Sequence, residues 1–455
     1  MITPIHTDTY HECGKCYNSR LTSRVYKSAI CNGSYIPKLP VSVAEIEIRN
    51  SNLNDIDRFA LINLTLHRIH VLVLSGNSIR HIHPEAFVNL TSLSVLEVKN
   101  ETSFSVEVLK QALTKLSSKF IKTLRFTNNK WKYLPCDMFE SFKDTKINNV
   151  HLTGNQFSDI NGSAFAVLTF SENLVFLYNK ITEIHFRKMQ RLKRLRLKGN
   201  RLAKVPNFCS TDGSLFPKLI VLSLSEKIIE NTDKTSFMCL PKLRVLKLVG
   251  IYIVELQNNI FSSLKIEAVY LDQIDTLKRI ENFAFNNTSI KNIYMTNCRF
   301  RFGFIERFNP STIFKFCPNV IYVNLGLNYL PNNPNIFRSM FIPLDNLESL
   351  HLQPTNLVDL PRTLLTNLRN LHTLNLQDNS LHDSDLSSEI FGNVTSLKSL
   401  DLSSNLISIM SKTSMPSLLL NSLEQINLGF NPFSCTCDQK WFVEWIKETK
   451  VKIVG

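Results

Sequence analysis

A single short pattern recurs along most of this chain and constrains its fold more than any other feature. Residues 69–77 read Ile-His-Val-Leu-Val-Leu-Ser-Gly-Asn, which has the form L-x-x-L-x-L-x-x-N, and strong or weaker copies recur about every 25 residues. We call the last position of each copy its slot. The slots are residues 51, 77, 101, 129, 155, 179, 200, 227, 251, 274, 298, 328, 355, 379, 405 and 431. Copies in such regular register predict one array of stacked units rather than several separate domains.

The spacing within each copy predicts a leucine-rich-repeat coil. Alternate side chains of a short strand point to opposite faces, so the leucines enter the core and the residues between them face outward. An asparagine in the slot can pair backbone groups of adjacent coils that would otherwise be buried without a partner. Phenylalanines about ten residues after several slots are expected to fill the far side of the coil: Phe87, Phe139, Phe165, Phe237 and Phe261. The predicted fold class is an α/β repeat solenoid, a leucine-rich-repeat horseshoe with a concave parallel β-sheet and an irregular or short-helical convex side.

The slots also predict how the chain is divided. Four consecutive slots lack asparagine, namely Lys227, Ile251, Ile274 and Cys298, although cysteine is an accepted substitute there. Losing the asparagine ladder should loosen the stacking, so we expect an irregular middle near residues 205–300. The predicted organisation is an N-terminal cysteine cap over 1–40, about 16 repeats over 41–431, and an incomplete C-terminal cysteine cap over 432–455.

Charge and composition limit the function classes. The chain carries 52 Lys and Arg against 38 Asp and Glu, a formal net charge of +14 that favours acidic partners such as nucleic acid, anionic lipid or sulfated sugar. It contains no nucleophile–base motif, no H-E-x-x-H and only 13 Gly, so phosphate-cradling loops are not expected. The sequence therefore predicts no enzyme, no cofactor and no metal site. No run approaches the roughly 18 apolar residues of a membrane span.

The two ends of the chain carry cap motifs that resemble those of the Toll-like receptors. Residues 431–446 read N-P-F-S-C-T-C, then D-Q-K, then W-F-V-E-W-I, which is similar to the C-terminal cap of that family. Residues 31–40, C-N-G-S-Y-I-P-K-L-P, resemble its N-terminal cap. The C-terminal motif is specific, whereas the repeats alone are shared by many families.

The resemblance implies the ligand-binding region of an innate immune pattern-recognition receptor. Such receptors bind microbial lipids, proteins or nucleic acids, and they signal when the ligand pairs two receptor chains as a homo- or heterodimer. The expected location is the extracellular or endosomal lumen side of a single-pass membrane receptor, with membrane contact only through a C-terminal part absent from this sequence. The alternative is a secreted or anchored leucine-rich-repeat adhesion or matrix protein that binds a protein partner.

The ten cysteines cluster partly at the two ends, which indicates stapled caps in an oxidising compartment. Cys31 is expected to pair with Cys16 or with Cys13, and Cys435 and Cys437 with family partners that would lie downstream. The C-x-x-C at residues 13–16 lacks the strand–helix setting of a redox motif, so a cap disulfide is favoured over a redox or zinc site. Cys209 and Cys239 follow their slots by nine and twelve residues in adjacent coils, which predicts a disulfide between them. The pairing of Cys136, Cys298 and Cys317 stays open.

Glycosylation sequons of the form N-x-[S/T] give weak support for secretion. None falls on an outward strand position, so glycans are expected to lie off the concave sheet. The acceptor asparagines are Asn32, Asn63, Asn89, Asn100, Asn161, Asn286, Asn287 and Asn393.

Outward strand positions carry a set of basic residues that predicts an anionic ligand. In residues 192–197, Leu-Lys-Arg-Leu-Arg-Leu, every outward position is cationic. Successive parallel strands lie about 4.8 Å apart, so such cations repel one another unless an anion binds. The alternative is a solvated face neutralised by residues such as Glu172 or Glu267. Four histidines, 70, 151, 351 and 372, are also expected on this face and would charge at acidic pH. The predicted ligand-binding residues are Lys122, Arg125, Lys193, Arg194, Arg196, Arg244, Lys247 and Lys291.

Overall fold

A computed structural model gives the fold of most of the chain. It describes residues 15–19, 27–32, 36, 38–51, 53–64, 67–225, 232–233, 235–302, 304, 306, 309–331, 333–362, 364–365, 367–391 and 394–455. Within these ranges, no helix is both long and apolar enough to cross a membrane. The chain divides into two compact units. Unit 1 comprises residues 1–224 with 239–241, and unit 2 comprises residues 225–238 with 242–455.

Unit 1 is built on a ladder of short strands, one from each coil. Its first two strands, Lys15–Ser19 and Lys27–Asn32, are antiparallel, and every later neighbour in the ladder is parallel. The parallel strands that follow are Val43–Arg49, Val71–Ser75, Val95–Lys99, Thr123–Thr127, Asn149–His151, Asn173–Val175, Arg194–Arg196 and Val221–Leu224. Each strand uses the x-L-x-L part of the repeat, as the sequence predicts.

Unit 2 continues the same construction with its own parallel ladder. The strands are Val245–Leu248, Ala268–Tyr270, Asn292–Tyr294, Tyr322–Asn324, Ser349–His351, Thr373–Asn375, Ser399–Asp401, Gln425–Asn427 and Lys452–Val454. We call the outward face of each ladder its concave face. The two ladders give the molecule the predicted leucine-rich-repeat solenoid fold.

Short elements complete the coils. The helices are Val106–Thr114, Pro334–Phe341, Ser388–Phe391, Ser417–Ser422 and Lys440–Glu448, with single 3-10 turns at Ile62–Leu64, Glu140–Phe142, Gly162–Phe165, Asp383–Asp385 and Cys437–Gln439. Small parallel pairs join Asp55–Ile56 to His81–Ile82, Asp159–Asn161 to Glu183–His185, and Glu255–Leu256 to Arg279–Ile280. These elements form the irregular and short-helical convex side that the repeat predicts.

The core of each unit contains the repeated apolar positions. Leucines such as Leu72 and Leu74 have no exposed surface, and the predicted convex phenylalanines are equally buried. The rings stack from coil to coil, with 5.5 Å between the ring centroids of Phe139 and Phe165. Removing this apolar surface from water, at about 25 cal/mol per Å², is the main force that holds the coils together.

The slot asparagines connect neighbouring coils through hydrogen bonds. Asn129 Nδ2 donates to the carbonyl of Val98 at 2.9 Å, and its Oδ1 accepts from the backbone N–H of Glu101 at 2.9 Å. Asn155 repeats the pattern one coil later. Glu101 fills its own slot with a carboxylate that is fully buried. An acceptor side chain can therefore replace asparagine where the neighbouring coil supplies N–H donors.

The middle of the chain, which the sequence predicts to be irregular near residues 205–300, contains both irregular and regular parts. Residues 209–214 form a small antiparallel hairpin, and Cys209 and Cys239 are joined by a disulfide, with sulfurs 2.04 Å apart. From Val245 onward, the strands pair in regular register. Cys298 shows one reason, because its thiol donates to the carbonyl of Leu271 at 2.9 Å in place of the slot amide.

The caps differ in how far they are described. Cys31 is disulfide-bonded and lies opposite Cys16 in the antiparallel strand pair, whereas Cys13 falls outside the described residues. At the other end, Trp441 of the cap helix donates its indole N–H to the carbonyl of Met410 at 3.0 Å. Four further described cysteines form no disulfide. Cys136, Cys435 and Cys437 are exposed, and Cys317 is buried.

Candidate functional site

Five of the predicted cations lie on or beside the concave face of unit 1, and we call them the cationic face. The strands 123–127, 149–151, 173–175 and 194–196 pair in register, so outward residues at equivalent positions form rows across the sheet. The first row contains Thr123, Asn149, Asn173 and Arg194, and the second contains Arg125, His151, Val175 and Arg196. Lys122 and Lys193 lie one residue before their strands.

Carboxylates only partly neutralise the cationic face. Lys193 Nζ lies 2.8 Å from Glu172 Oε1, so the solvated, ion-paired alternative describes this residue. Arg125 makes a longer contact of 3.5 Å with Glu97. Arg196 and Lys122 are exposed, and among the described residues of unit 1 neither has a carboxylate within ion-pair distance.

A histidine lies between two of the arginines and reports the local potential. His151 is opposite Arg125 in the register and two strands from Arg196. Burial, and then the charges of Arg125 and Arg196, lower the pKa of His151 to about 4. This histidine, which the sequence predicts to charge at acidic pH, therefore does so only at lower pH than an ordinary histidine. The two arginine charges add to the effect of burial, and the same charges would attract an anion.

Amide side chains extend the site along the first row. Arg194 Nη1 donates to Asn173 Oδ1 at 3.2 Å, Asn173 Nδ2 donates to Asn149 Oδ1 at 2.5 Å, and Asn149 Nδ2 donates to Thr123 Oγ1 at 3.0 Å. All three bonds run in the same direction, away from the guanidinium. This series of hydrogen bonds fixes the position of Arg194 next to the second row. Less side-chain entropy is therefore lost when a ligand binds.

The three predicted cations of unit 2 lie in a different chemical setting. Arg244 Nη1 forms an ion pair of 2.8 Å with Glu267 Oε1, and Lys247 Nζ lies 4.2 Å from the centroid of the Tyr270 ring. Lys291 is exposed. Two of the three are thus already engaged by a carboxylate or by an aromatic face, which makes them weaker candidates for an anion than Arg196.

A stack of aromatic rings occupies the concave face of unit 2, and the sequence analysis missed it. The ring centroids of Tyr270 and Tyr294 lie 4.2 Å apart with the rings parallel, those of Tyr294 and Tyr322 lie 4.7 Å apart, and those of Tyr322 and His351 lie 4.9 Å apart. The missed signal was the recurrence of a ring at outward strand positions of successive coils. Tyr270 and Tyr294 belong to coils whose slots, Ile274 and Cys298, lack asparagine, and their stacking supplies a contact between coils there.

Most described sequons are accessible, with one correction. Asn32, Asn89, Asn100 and Asn161 are exposed, Asn63 and Asn286 are half-buried, and Asn393 lies outside the described residues. Asn287 is buried, and its Nδ2 donates to the carbonyls of Phe261 and Leu264. Its amide nitrogen holds two backbone groups and is unavailable to a glycan, so predicting it as an acceptor was wrong.

A metal site finds no support in the described part of the chain. Within it, no group of three or more His, Cys, Asp or Glu side chains is arranged to hold an ion. The chemistry of both concave faces is that of charge, hydrogen bonding and aromatic contact, which suits binding.

Comparison with known proteins identifies the relatives of this arrangement. Residues 42–101 match the family described as Leucine rich repeat, and residues 218–339 and 309–428 match the family described as BspA type Leucine rich repeat region (6 copies). CD180 antigen of Mus musculus is 26% identical over 349 residues, covering 70% of this chain and 50% of CD180. Toll-like receptor 7 of Mus musculus is 49% identical over 57 residues, covering 12% of this chain and 5% of the receptor. The chain therefore spans half the length of the first relative and a small part of the second.

A solved structure shares the fold. The crystal structure of a TLR13–ssRNA13 complex superposes with a TM-score of 0.64 at 20% identity, covering 93% of this chain and 66% of the other. The repeat families, the receptor relatives and the shared fold agree with the cap motifs at residues 31–40 and 431–446. This chain belongs to the leucine-rich-repeat proteins, and it is similar to ectodomains of the Toll-like receptor type.

Proposed function

We propose that this chain is the ligand-binding region of an innate immune pattern-recognition receptor, and that its cationic face binds a phosphate-bearing ligand. Binding would bring two receptor chains together on the extracellular or endosomal lumen side of a membrane. The observation that carries the proposal is the arrangement of Arg125 and Arg196 about the neutral His151. The receptor relatives support the general role, and the RNA bound by the structural neighbour supports a phosphate backbone as the first ligand to test.

Electrostatics favour an anion at this place. Arginine presents a planar fork of donors that matches phosphate oxygens in pairs. Arg196 is exposed and unpaired among the described residues, and Arg194 is oriented by Asn173 without losing its charge. A bound phosphate would reduce the repulsion between neighbouring guanidinium groups and gain charge-assisted hydrogen bonds. The +14 formal charge of the chain adds long-range attraction.

The proposal predicts a definite dependence on salt. Three contacts from Arg125, Arg194 and Arg196 to a single-stranded RNA give a slope of log K against log salt concentration of about −2, since each contact contributes about −0.7. The double variant Arg194→Glu with Arg196→Glu removes two contacts, so the slope should become shallower by about 1.4. Its affinity for a single-stranded RNA oligonucleotide should fall about ten-fold or more at low salt.

The matched control is Lys132→Glu with Lys204→Glu, which makes the same change of charge at exposed positions outside the cationic face. Circular dichroism checks that all variants fold. Vesicles of phosphatidylglycerol offer the same phosphate chemistry on a lipid, and a loss confined to vesicles would assign the site to lipid. Equal binding of both probes by wild type, double variant and control would refute an anionic ligand on this face.

A further inference from the structure

A second charged surface of unit 1 adjoins the cationic face, at the residues that precede each concave strand. Five residues hold equivalent positions there, each three residues before the first residue of its strand. We call them the edge stripe: Phe120, Lys146, Phe170, Arg191 and Lys218. The three cations are exposed, Phe120 is 63% exposed and Phe170 is half-buried.

Hydrogen bonds between coils hold the stripe in line. The carbonyl of Asn148 accepts from the N–H groups of Glu172 and Asn173, and the carbonyl of Glu172 accepts from those of Lys193 and Arg194. The same doubled bond joins the coils on either side. These bonds lie within three residues of the stripe, so its members follow one another from coil to coil at the spacing of the sheet.

Phe170 positions the cations on each side of it. The Arg191 guanidinium carbon lies 4.5 Å from the centroid of the Phe170 ring, and Lys146 Nζ lies 5.7 Å from it. Cations are attracted to an aromatic face, and Arg also stacks on it. Two like charges are therefore held against one ring, and their mutual repulsion falls when an anion bridges them.

Among the described residues of unit 1, no carboxylate neutralises the cations of the stripe, since Lys146, Arg191 and Lys218 have none within ion-pair distance. These cations also do not form the hydrogen bonds to the preceding coil that several equivalent residues of unit 2 form. At the equivalent positions of several unit 2 coils, asparagine bonds to the preceding coil: Asn319 Nδ2 to the carbonyl of Thr288 at 2.7 Å, and Asn346 Nδ2 to that of Pro318 at 3.1 Å. The stripe thus has exposed charge where these unit 2 coils have such a bond, although Lys242 and Lys265 are exposed cations at the equivalent positions of two other unit 2 coils.

We propose that the edge stripe binds a linear sulfated glycan, independently of the ligand of the cationic face. Its cations form a line that runs from coil to coil. Such a line suits sulfate groups carried along an extended glycan chain. A single-stranded nucleic acid would need successive open aromatic faces for its bases. Phe170 is flanked by Arg191 and Lys146, which leaves Phe120 as the one open ring of the stripe. A sugar ring can pack its C–H groups on Phe120 while its sulfates contact the cations.

The test measures binding of a heparin oligosaccharide to the full chain by calorimetry. The variant Lys146→Glu, Arg191→Glu, Lys218→Glu should lose about ten-fold or more in affinity at low salt. A matched control, Lys132→Glu, Arg201→Glu, Lys204→Glu, makes the same charge change at exposed positions of unit 1 outside the stripe and should retain binding. Phe170→Leu keeps every charge but frees the cations, and it should weaken binding several-fold.

Three results would overturn the proposal: no binding of heparin by the wild-type chain, equal loss in the stripe variant and its control, or undiminished binding of the desulfated oligosaccharide. Loss of RNA binding with retention of heparin binding in the stripe variant would instead assign the stripe to nucleic acid and overturn the glycan. The double variant Arg194→Glu with Arg196→Glu keeps the stripe intact and should still bind heparin. The two sets of variants therefore distinguish refutation of the proposed phosphate site on the cationic face from refutation of the proposed glycan site on the edge stripe.

Discussion

Replacing Glu101 with glutamine should open the repeat array locally, because this slot needs acceptors and has no use for donors. Glu101 Oε1 accepts from the backbone N–H of Asn77 at 2.7 Å and from its Nδ2 at 2.8 Å. Its Oε2 accepts from the N–H of Ile79 at 3.2 Å. Glutamine offers one oxygen and one NH2 group, so in either orientation an NH2 faces an N–H donor.

The magnitude follows from the number of bonds lost. If the glutamine oxygen takes the two bonds from Asn77, the N–H of Ile79 is left buried without an acceptor. An unsatisfied buried donor costs about 1–3 kcal/mol. That corresponds to about a 5- to 150-fold loss of protection of this amide against hydrogen exchange. The opposite orientation loses two bonds and costs more.

Native-state hydrogen exchange at Ile79 measures the effect directly, because a repeat array need not unfold as one cooperative unit. Glu107→Gln is the control: Glu107 is partly exposed and pairs with Lys110, so its loss should leave the Ile79 amide unchanged. Undiminished protection in Glu101→Gln would refute the description of Glu101 as an acceptor of three N–H groups.

Three further predictions concern the concave faces. Arg196→Gln should raise the pKa of His151 from about 4 toward its ordinary value, because one of the two charges that oppose protonation is removed; an NMR titration unchanged from wild type would show that Arg196 does not contribute. In the wild type the unfolded chain takes up this proton first, so His151 should reduce the stability of unit 1 as the pH falls from about 6.5 through about 4. In unit 2, Tyr294→Ala should lower the unfolding free energy by about 1–3 kcal/mol, measured by urea denaturation, whereas Tyr252→Ala, outside the ring stack, should cost less.

The repeat allowed the fold to be predicted because it specifies the buried positions one by one. Leu72, Leu74 and Asn77 belong to one copy of the pattern, and all three are buried as the pattern requires. Apolar residues at alternate strand positions have one stable arrangement, with their side chains toward the core. The same alternation predicts which residues face outward, and it correctly placed Arg194 and Arg196 on the outward face.

The chemistry of the outward residues could not be predicted in the same way. Whether a cation is available depends on a neighbour in another coil: Lys193 meets Glu172 and Arg244 meets Glu267, more than twenty residues away in sequence. Coil length also varies, with slots 21 residues apart between 179 and 200 but 28 apart between 101 and 129. Partners across coils therefore depend on the register of each strand pair, which one chain's pattern does not specify.

In most coils the slot residue joins neighbouring coils from within, while the outward residues face solvent. In the middle of the chain, outward residues also join the coils. Where asparagine is missing from the slots, Cys298 supplies a thiol donor, and the rings of Tyr270 and Tyr294 supply stacking on the concave face. Positions in unit 2 that help hold the coils together are less free to contact a ligand. In unit 1 the asparagines of the ladder hold the coils from within, so Arg196 on the concave face and Lys146 on the edge can carry unpaired charge. Both proposed sites therefore use cations on coils whose slots, Asn155 and Asn200, hold asparagine.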